Sequence, residues 1–204
     1  ITAGQRCSCA RRIIINKSEE KIVDQWLNEI KKLNISRYPN KIDTFMGPIV
    51  IQETKNKLLT KKYEKSTTIL SSRNLGKGGL ISPRVEITED FQDEELFGPI
   101  VFICLTNSLE ESIEMANKSQ FGLTASIYTK NKKKFKYALD NIESGVINWN
   151  SPTTGASGIA PFGGMKNSGN HRPAGFSMID HCVIPVASTQ QQSIEKITFP
   201  GLHA

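Results

Sequence analysis

No stretch of these 204 residues approaches the roughly eighteen consecutive apolar side chains that a membrane-crossing helix needs, so no membrane partner is expected. Histidine is scarce, at three residues, and cysteine at four. Cys7, Cys9, Cys104 and Cys182 lie too far apart in sequence for a small disulfide scaffold, and reduced thiols in a cytoplasm are the simpler reading. Cys7-Ser8-Cys9 is a C-x-C without the second ligand pair of a zinc site, and no His stands near it in sequence, so no metal is expected. The opening residues, Ile1-Thr2-Ala3-Gly4, carry neither Met nor a charged-then-apolar targeting pattern. They point to a chain whose beginning lies upstream.

What is present fits a globular protein. Hydrophobic residues make up 38% and charged ones 23%, too rich in apolar side chains for a disordered chain. The net charge of +6 raises nucleic acid as a partner, with the chain as a basic binding module. The densest run, Lys130-Asn131-Lys132-Lys133-Lys134-Phe135-Lys136, has little aromatic interleaving and opens a helix-like segment. It reads as a solvated helix face, and no nucleic-acid partner is expected.

Along the chain, residues 10–15 look like entry into a buried strand. Ser18 precedes a helix whose apolar positions, Ile22, Val23, Trp26, Leu27, Ile30 and Leu33, follow the 3.6-residue period. A looser stretch around Pro39, Gly47 and Pro48 leads to a second helix near 52–64, and 84–88 alternates like a strand. From 100 onward the rhythm is regular. Residues 100–105 form an apolar strand, and Ser108 with Glu111 makes a capping box for a helix to about Lys118. Strand 123–129, helix 132–143 ended by Gly145, and strand 146–149 follow. This alternation predicts an α/β fold with a parallel sheet. Beyond Asn150 the composition turns to Gly, Ser, Thr and Pro, the residues of functional loops.

Three segments carry chemistry. In Gly4-Gln5-Arg6-Cys7 a cysteine follows a glycine turn beside a cation, which favours an exposed, nucleophilic thiolate; a lone Cys near an Arg is also often structural. Glu94-Glu95-Leu96-Phe97-Gly98-Pro99 sets carboxylates and an aromatic just before a buried strand, as a ligand loop or as a charged turn. Pro161-Phe162-Gly163-Gly164-Met165-Lys166-Asn167-Ser168-Gly169 is a glycine-rich loop without the strand-then-helix setting of a phosphate cradle.

Together, in this order, the three segments resemble the aldehyde dehydrogenase superfamily, and the resemblance runs essentially from residue 1 to 204. It implies that Cys7 is the catalytic nucleophile and that its backbone N–H forms part of the oxyanion hole. It implies that Glu95 binds the nicotinamide ribose hydroxyls of NAD and that Phe97 contacts the nicotinamide end. In the family, the general-base glutamate, a second oxyanion donor and the dinucleotide-binding domain precede the cysteine. The resemblance therefore implies a catalytic domain over 1–180, inactive alone, with NAD held mostly by an absent N-terminal half. A tail at 181–204 would contain an oligomerisation strand at about 182–187, and the full-length protein would be a homo-oligomer.

Within the superfamily, the stretches Asn148-Trp149-Asn150, Thr154-Gly155-Ala156-Ser157 and Ser168-Gly169-Asn170-His171-Arg172-Pro173 resemble the branch that oxidises N-succinylglutamate 5-semialdehyde in arginine catabolism. The tail ending Pro200-Gly201-Leu202 is of the same kind. Small residues let backbone N–H groups approach a substrate carboxylate. By this resemblance Gly155, Ala156 and Ser8 hold that carboxylate. His171 and Arg172 either pair with the additional succinyl carboxylate or brace their own loop. The neighbouring branch, acting on glutamate semialdehyde (1-pyrroline-5-carboxylate), shares the Cys-Ser and Thr-Gly-Ala features and stands as the alternative. His181 reads as structural and His203 as part of the terminus. Cys9 reads as packing, and Arg6 either steers anionic substrate or pairs with a carboxylate.

Overall fold

The computed structural model describes residues 2–37, 43–194 and 200–201; Pro39, Leu202 and His203 lie outside the described residues. The strand expected at 10–15 is β1 (Arg12–Asn16), half-buried along its length. Ser18 does not cap the next helix. Its own N–H donates to the Asn16 side chain at 3.0 Å, which caps a single 3-10 turn, and α1 (Lys21–Lys31) follows with no side-chain cap. Val23, Leu27 and Ile30 of α1 face the sheet, whereas Ile22 points outward. α2 (Gln52–Thr60) stops short of residue 64 because Lys61 turns to extended backbone. β2 (Ser66–Leu70), β3 (Arg84–Thr88) and β4 (Ile100–Thr106) complete a four-stranded sheet of order β1-β4-β3-β2. β4 pairs in parallel with β1 and β3, and β2 is antiparallel to β3.

The second half keeps the expected alternation with a different pairing. α3 (Leu109–Asn117) begins at Ser108, whose hydroxyl accepts the Glu111 N–H at 3.1 Å. The return bond of the capping box goes one residue further back: Glu111 accepts from the Asn107 N–H at 2.7 Å. β5 (Phe121–Gly122), β6 (Thr124–Ile127), α4 (Lys132–Asn141), β7 (Val146–Trp149), β8 (Met165–Lys166) and α5 (Met178–Cys182) follow. β6 and β7 run parallel, but as a separate pair rather than as an extension of the first sheet. β4 is flanked by β1 and β3 and has no free edge to offer β6. α4 ends because Ile142 is extended. Gly145 serves another purpose, since a Cβ there would overlap the Gly163 carbonyl of the glycine-rich loop. The lysines of α4 are exposed, and Phe135 stacks on Trp149 at 4.7 Å between ring centroids.

The expected strand at 182–187 is not formed among the described residues. Cys182 ends α5, and 183–194 is exposed without a ladder. A lone strand has nothing to pair with, and backbone left unpaired stays in water.

Two apolar clusters hold the first sheet. One joins Val23, Leu27 and Ile30 to Val85 and Ile103. The other contains Ala3, Leu58, Ile81, Leu96 and Ile100, so it reaches into both loops that carry the first two motifs. Side chains such as Leu58 and Ile103, at 0% exposure, each contribute about 1.5–3 kcal/mol.

β3 does not present a polar face to water, because the end of α2 and the Tyr63 ring lie over the side chains of that face. Arg84 and Glu86 are both buried on it and pair at 2.6 Å. Ser66 and Thr68 each donate to Glu86 at 2.7 Å, while Arg84 donates to the carbonyls of Leu58 (3.1 Å) and Lys61 (2.7 Å). Removing one member strands the other charge. Arg84→Met is expected to cost about 3–5 kcal/mol in urea denaturation, and the double variant Arg84→Met/Glu86→Leu to recover part of that loss. Equal losses in the single and double variants would contradict the pairing.

Asp93 ties the two halves together. It accepts from Arg12 of β1 at 2.7 Å, from the Ser119 hydroxyl at 2.7 Å and from the Gln120 N–H at 2.7 Å. Burial works against its charge, but these hydrogen bonds outweigh it and hold the carboxyl below the usual carboxylate range. A depressed folded pKa gives stability that is complete above the unfolded value, about 4, and is lost as pH falls through the lower folded one. Asp93→Asn should therefore lower Tm at pH 7, with the deficit shrinking below pH 4. A deficit that grows with acid would contradict this sign.

Candidate active site

The sheet gathers the first two motifs at one edge. In the parallel register of β1 and β4, Arg12 stands opposite Phe102. Cys7 and Phe97 each precede that pair by five residues, so both loops enter at the amino ends of neighbouring strands.

The loop that carries Cys7 is locally strained. Thr2, Ala3 and Gly4 all have left-handed backbone, with φ of 53°, 51° and 70°. Such conformations persist in non-glycine residues only where the surroundings impose them. Ala3 is 1% exposed in the core beside Leu96, and a Cβ on Gly4 would overlap the Gly98 carbonyl. Gly4 thus lets the two loops meet backbone to backbone, while a Cβ on Gly98 would overlap the Leu58 side chain. Gln5 explains its own place in the motif. Its amide donates to the Pro48 carbonyl at 3.2 Å and accepts from the Val50 N–H at 2.8 Å, pinning the loop to a distant segment. Cys7 follows on a turn, exposed as expected, and Arg6 is exposed beside it. Among the described residues no acceptor takes the Cys7 N–H. Cys9 is half-buried, with its sulfur 4.0 Å from the Thr2 hydroxyl.

One side chain that sequence reasoning passed over sits at the centre. The Arg11 guanidinium donates to the carbonyls of Cys9 (2.8 Å), Gly4 (3.1 Å) and Arg6 (3.1 Å), which bracket Cys7 on both sides. The same group pairs with Glu95 at 2.8 Å and lies 5.1 Å from the centre of the Phe97 ring. The residues expected to act on sulfur chemistry and on the cofactor are thereby brought together. Nothing local betrays this link, because Glu95 and Phe97 stand more than eighty residues from Arg11. Glu94 turns aside to pair with Lys61.

Glu95 and Phe97 fit the cofactor the resemblance implies. The Glu95 side chain is 50% exposed, and among the described residues its second oxygen takes no hydrogen bond. A carboxylate of this kind accepts from two neighbouring ribose hydroxyls. Phe97 is 41% exposed and offers an aromatic surface.

The expected carboxylate-binding residues are brought together in part. The Thr153 hydroxyl donates to the Ser8 carbonyl at 2.7 Å, closing the Thr-Thr-Gly-Ala loop onto the Cys7 loop. Gly155 has φ of 87° with open space around it, and both it and Ala156 are exposed. His171 and Arg172 stand elsewhere, on a turn packed against Gly163. Both have left-handed backbone, and the Arg172 N–H donates to Asn170 at 3.1 Å. His181 contacts the His171 carbonyl at 3.2 Å, so its role here is to brace that turn. No described contact joins His171 or Arg172 to Cys7, and among the described residues no metal-ligating cluster exists.

Comparison with known proteins bears directly on these loops. The model of the aldehyde dehydrogenase family matches residues 1–185. The chain is 38% identical over 201 residues to N-succinylglutamate 5-semialdehyde dehydrogenase of Legionella pneumophila, covering 94% of this chain and 41% of that protein. It is 33% identical over 204 residues to the enzyme of that name from Serratia proteamaculans, covering 95% and 42%. The chain thus spans about two fifths of the length of these relatives. Among solved structures, a betaine aldehyde dehydrogenase variant from Staphylococcus aureus superposes with a TM-score of 0.81 at 27% identity, over 88% of this chain and 38% of that one. A variant of 1-pyrroline-5-carboxylate dehydrogenase from Thermus thermophilus gives 0.75 at 29% identity, over 84% and 35%. The family match takes in the strained cysteine loop, the Glu95–Phe97 loop and the glycine-rich loop in one span, and the chain belongs to the aldehyde dehydrogenase family.

Proposed function

We propose that this chain is the cysteine-bearing part of a longer NAD-dependent enzyme that oxidises N-succinyl-L-glutamate 5-semialdehyde to N-succinyl-L-glutamate. The observation that carries the reading is the Thr153–Ser8 hydrogen bond, which closes a loop of small residues onto the loop of an exposed cysteine. A semialdehyde derived from glutamate carries a carboxylate opposite its aldehyde. Ser8, Gly155 and Ala156 offer that carboxylate a hydroxyl and approachable backbone N–H groups. Similarity to enzymes named for the succinylated substrate supports the choice of aldehyde.

The chemistry assigned to the chain's own residues is as follows. The Cys7 sulfur, as thiolate, bonds to the aldehyde carbon, and the carbonyl π electrons move to oxygen. The Cys7 N–H, which has no acceptor among the described residues, donates to the resulting oxyanion. Glu95 would hold the ribose hydroxyls of NAD, and Phe97 would pack against its nicotinamide end. NAD, when bound, supplies the hydride acceptor that makes the oxidation possible. The C–O π bond re-forms as hydride departs and leaves a thioester on Cys7. Water then cleaves the thioester, its proton taken by a base that the family places ahead of the cysteine. Cys7 leaves as thiolate. In this reading Arg172 and His171 meet the succinyl carboxylate only if their turn comes over the substrate; in this structure the Arg172 N–H bonds the Asn170 side chain and the His171 carbonyl bonds the His181 ring.

The test is NADH formation by the full-length protein with succinylated and with free glutamate semialdehyde. A strong preference for the succinylated aldehyde, with kcat lowered about a thousandfold or more by Cys7→Ala, is expected. Preference for the free semialdehyde would move the enzyme to the 1-pyrroline-5-carboxylate branch. Unchanged turnover in Cys7→Ala would overturn the nucleophile.

A further inference from the structure

Arg11 holds more than a static ion pair requires. Both N–H groups of its Nη2 are directed at the carbonyls of Gly4 and Arg6, 3.1 Å away. Glu95 Oε1 lies 2.8 Å from the same nitrogen, held by charge rather than by a directed hydrogen bond. The Nε–H, which in a two-point fork would complete the grip on a carboxylate, is buried and unpaired among the described residues. The guanidinium side chain is itself 16% exposed, and Phe97 lies over it. Arg11 is thus firmly bonded to the backbone around Cys7 and only loosely bonded to the residue that faces the ribose. A half-exposed, one-point ion pair is weak and readily exchanged.

We propose that Arg11 is a positioning residue that couples ribose engagement at Glu95 to the placement of Cys7. When Glu95 takes up ribose hydroxyls, its hold on Arg11 changes. The guanidinium is then held by the three carbonyls it already bonds, those of Gly4, Arg6 and Cys9, without the competing pull of Glu95, and its grip on the loop around Cys7 changes accordingly. Coupling of this kind is reciprocal, so the state of the cysteine loop also sets how well the ribose is held. The proposal rests on the reading of Glu95 and Cys7 given under the proposed function. It assigns to Arg11 no contact with substrate or cofactor.

The experiment uses the full-length protein and three forms of residue 11: wild type, Arg11→Lys and Arg11→Ser. Lysine keeps a charge for Glu95 but cannot reach three carbonyls at once, and serine removes both functions. Alkylation of Cys7 by iodoacetamide is followed by peptide mass spectrometry with and without NAD, and NAD binding is measured separately by fluorescence quenching. Simple shielding by the nucleotide acts on all three proteins alike. The expected result is that the NAD-dependent change in alkylation rate differs between wild type and Arg11→Lys by about fivefold or more, while Arg11→Lys still binds NAD. In turnover, Arg11→Lys should lose kcat more than it raises KM for NAD. An NAD effect on Cys7 that is equal in wild type and Arg11→Lys would overturn the coupling, with the functional reading intact. A wild type that binds no NAD would overturn both. Should Arg11→Ser fail to fold, Arg11→Lys alone decides the matter.

Discussion

The parallel pairing of β1 with β4 is the constraint on which the site depends. Strands that run the same way bring their preceding loops to the same edge. Here those loops carry Cys7 on one side and Glu95 with Phe97 on the other. An antiparallel pairing of the same two segments would put them at opposite ends of the sheet. A register slip of one residue would turn the side chains of β1 to the other face and undo its packing with Val23, Leu27 and Ile30 of α1. The site lies at the amino ends of these strands, whereas ligands in open parallel sheets usually gather at the carboxyl ends. Only the Thr153–Ala156 loop, which follows β7, comes to it from a carboxyl end.

Close approach and charge then turn adjacency into a unit. Gly4 lets its loop meet the backbone at Gly98, Ala3 and Leu96 anchor both loops in one apolar cluster, and Arg11 bonds to each. Asp93 performs a comparable task one step away, binding β1 through Arg12 and the second half of the chain through Ser119 and Gln120. Exposed Cys7 is therefore carried on a framework whose supporting groups are mostly out of water. That combination suits a nucleophile that must meet substrate without wandering.

Much of this was legible in the sequence wherever the governing interaction is local. The apolar run of β4, the Ser108 cap and the strand-helix-strand rhythm to Trp149 follow from neighbours a few residues apart. The family was legible through the motifs that carry Cys7, Glu95 and Phe97, because their residue types and order are distinctive. Interactions between distant residues were not. Arg11 reads as one more basic residue entering a strand until its partners at 95 and 97 are in view. Arg84 and Glu86 read as a polar face because alternation cannot report that both faces are covered. The split of β6 and β7 from the first sheet is a fact of topology that the local pattern does not report. Likewise 183–187 has the composition of a strand but no described edge to join.

The central claim is that Cys7, and not its neighbour Cys9 two residues on, carries the substrate during turnover. The most direct measurement is peptide mass mapping of full-length protein quenched in acid during turnover with NAD and N-succinylglutamate semialdehyde. The expected result is an acyl mass increment on the peptide bearing Cys7, localised to that residue by fragmentation and absent without NAD. An increment on Cys9 or Cys182, with Cys7 unmodified while NADH accumulates, would contradict it.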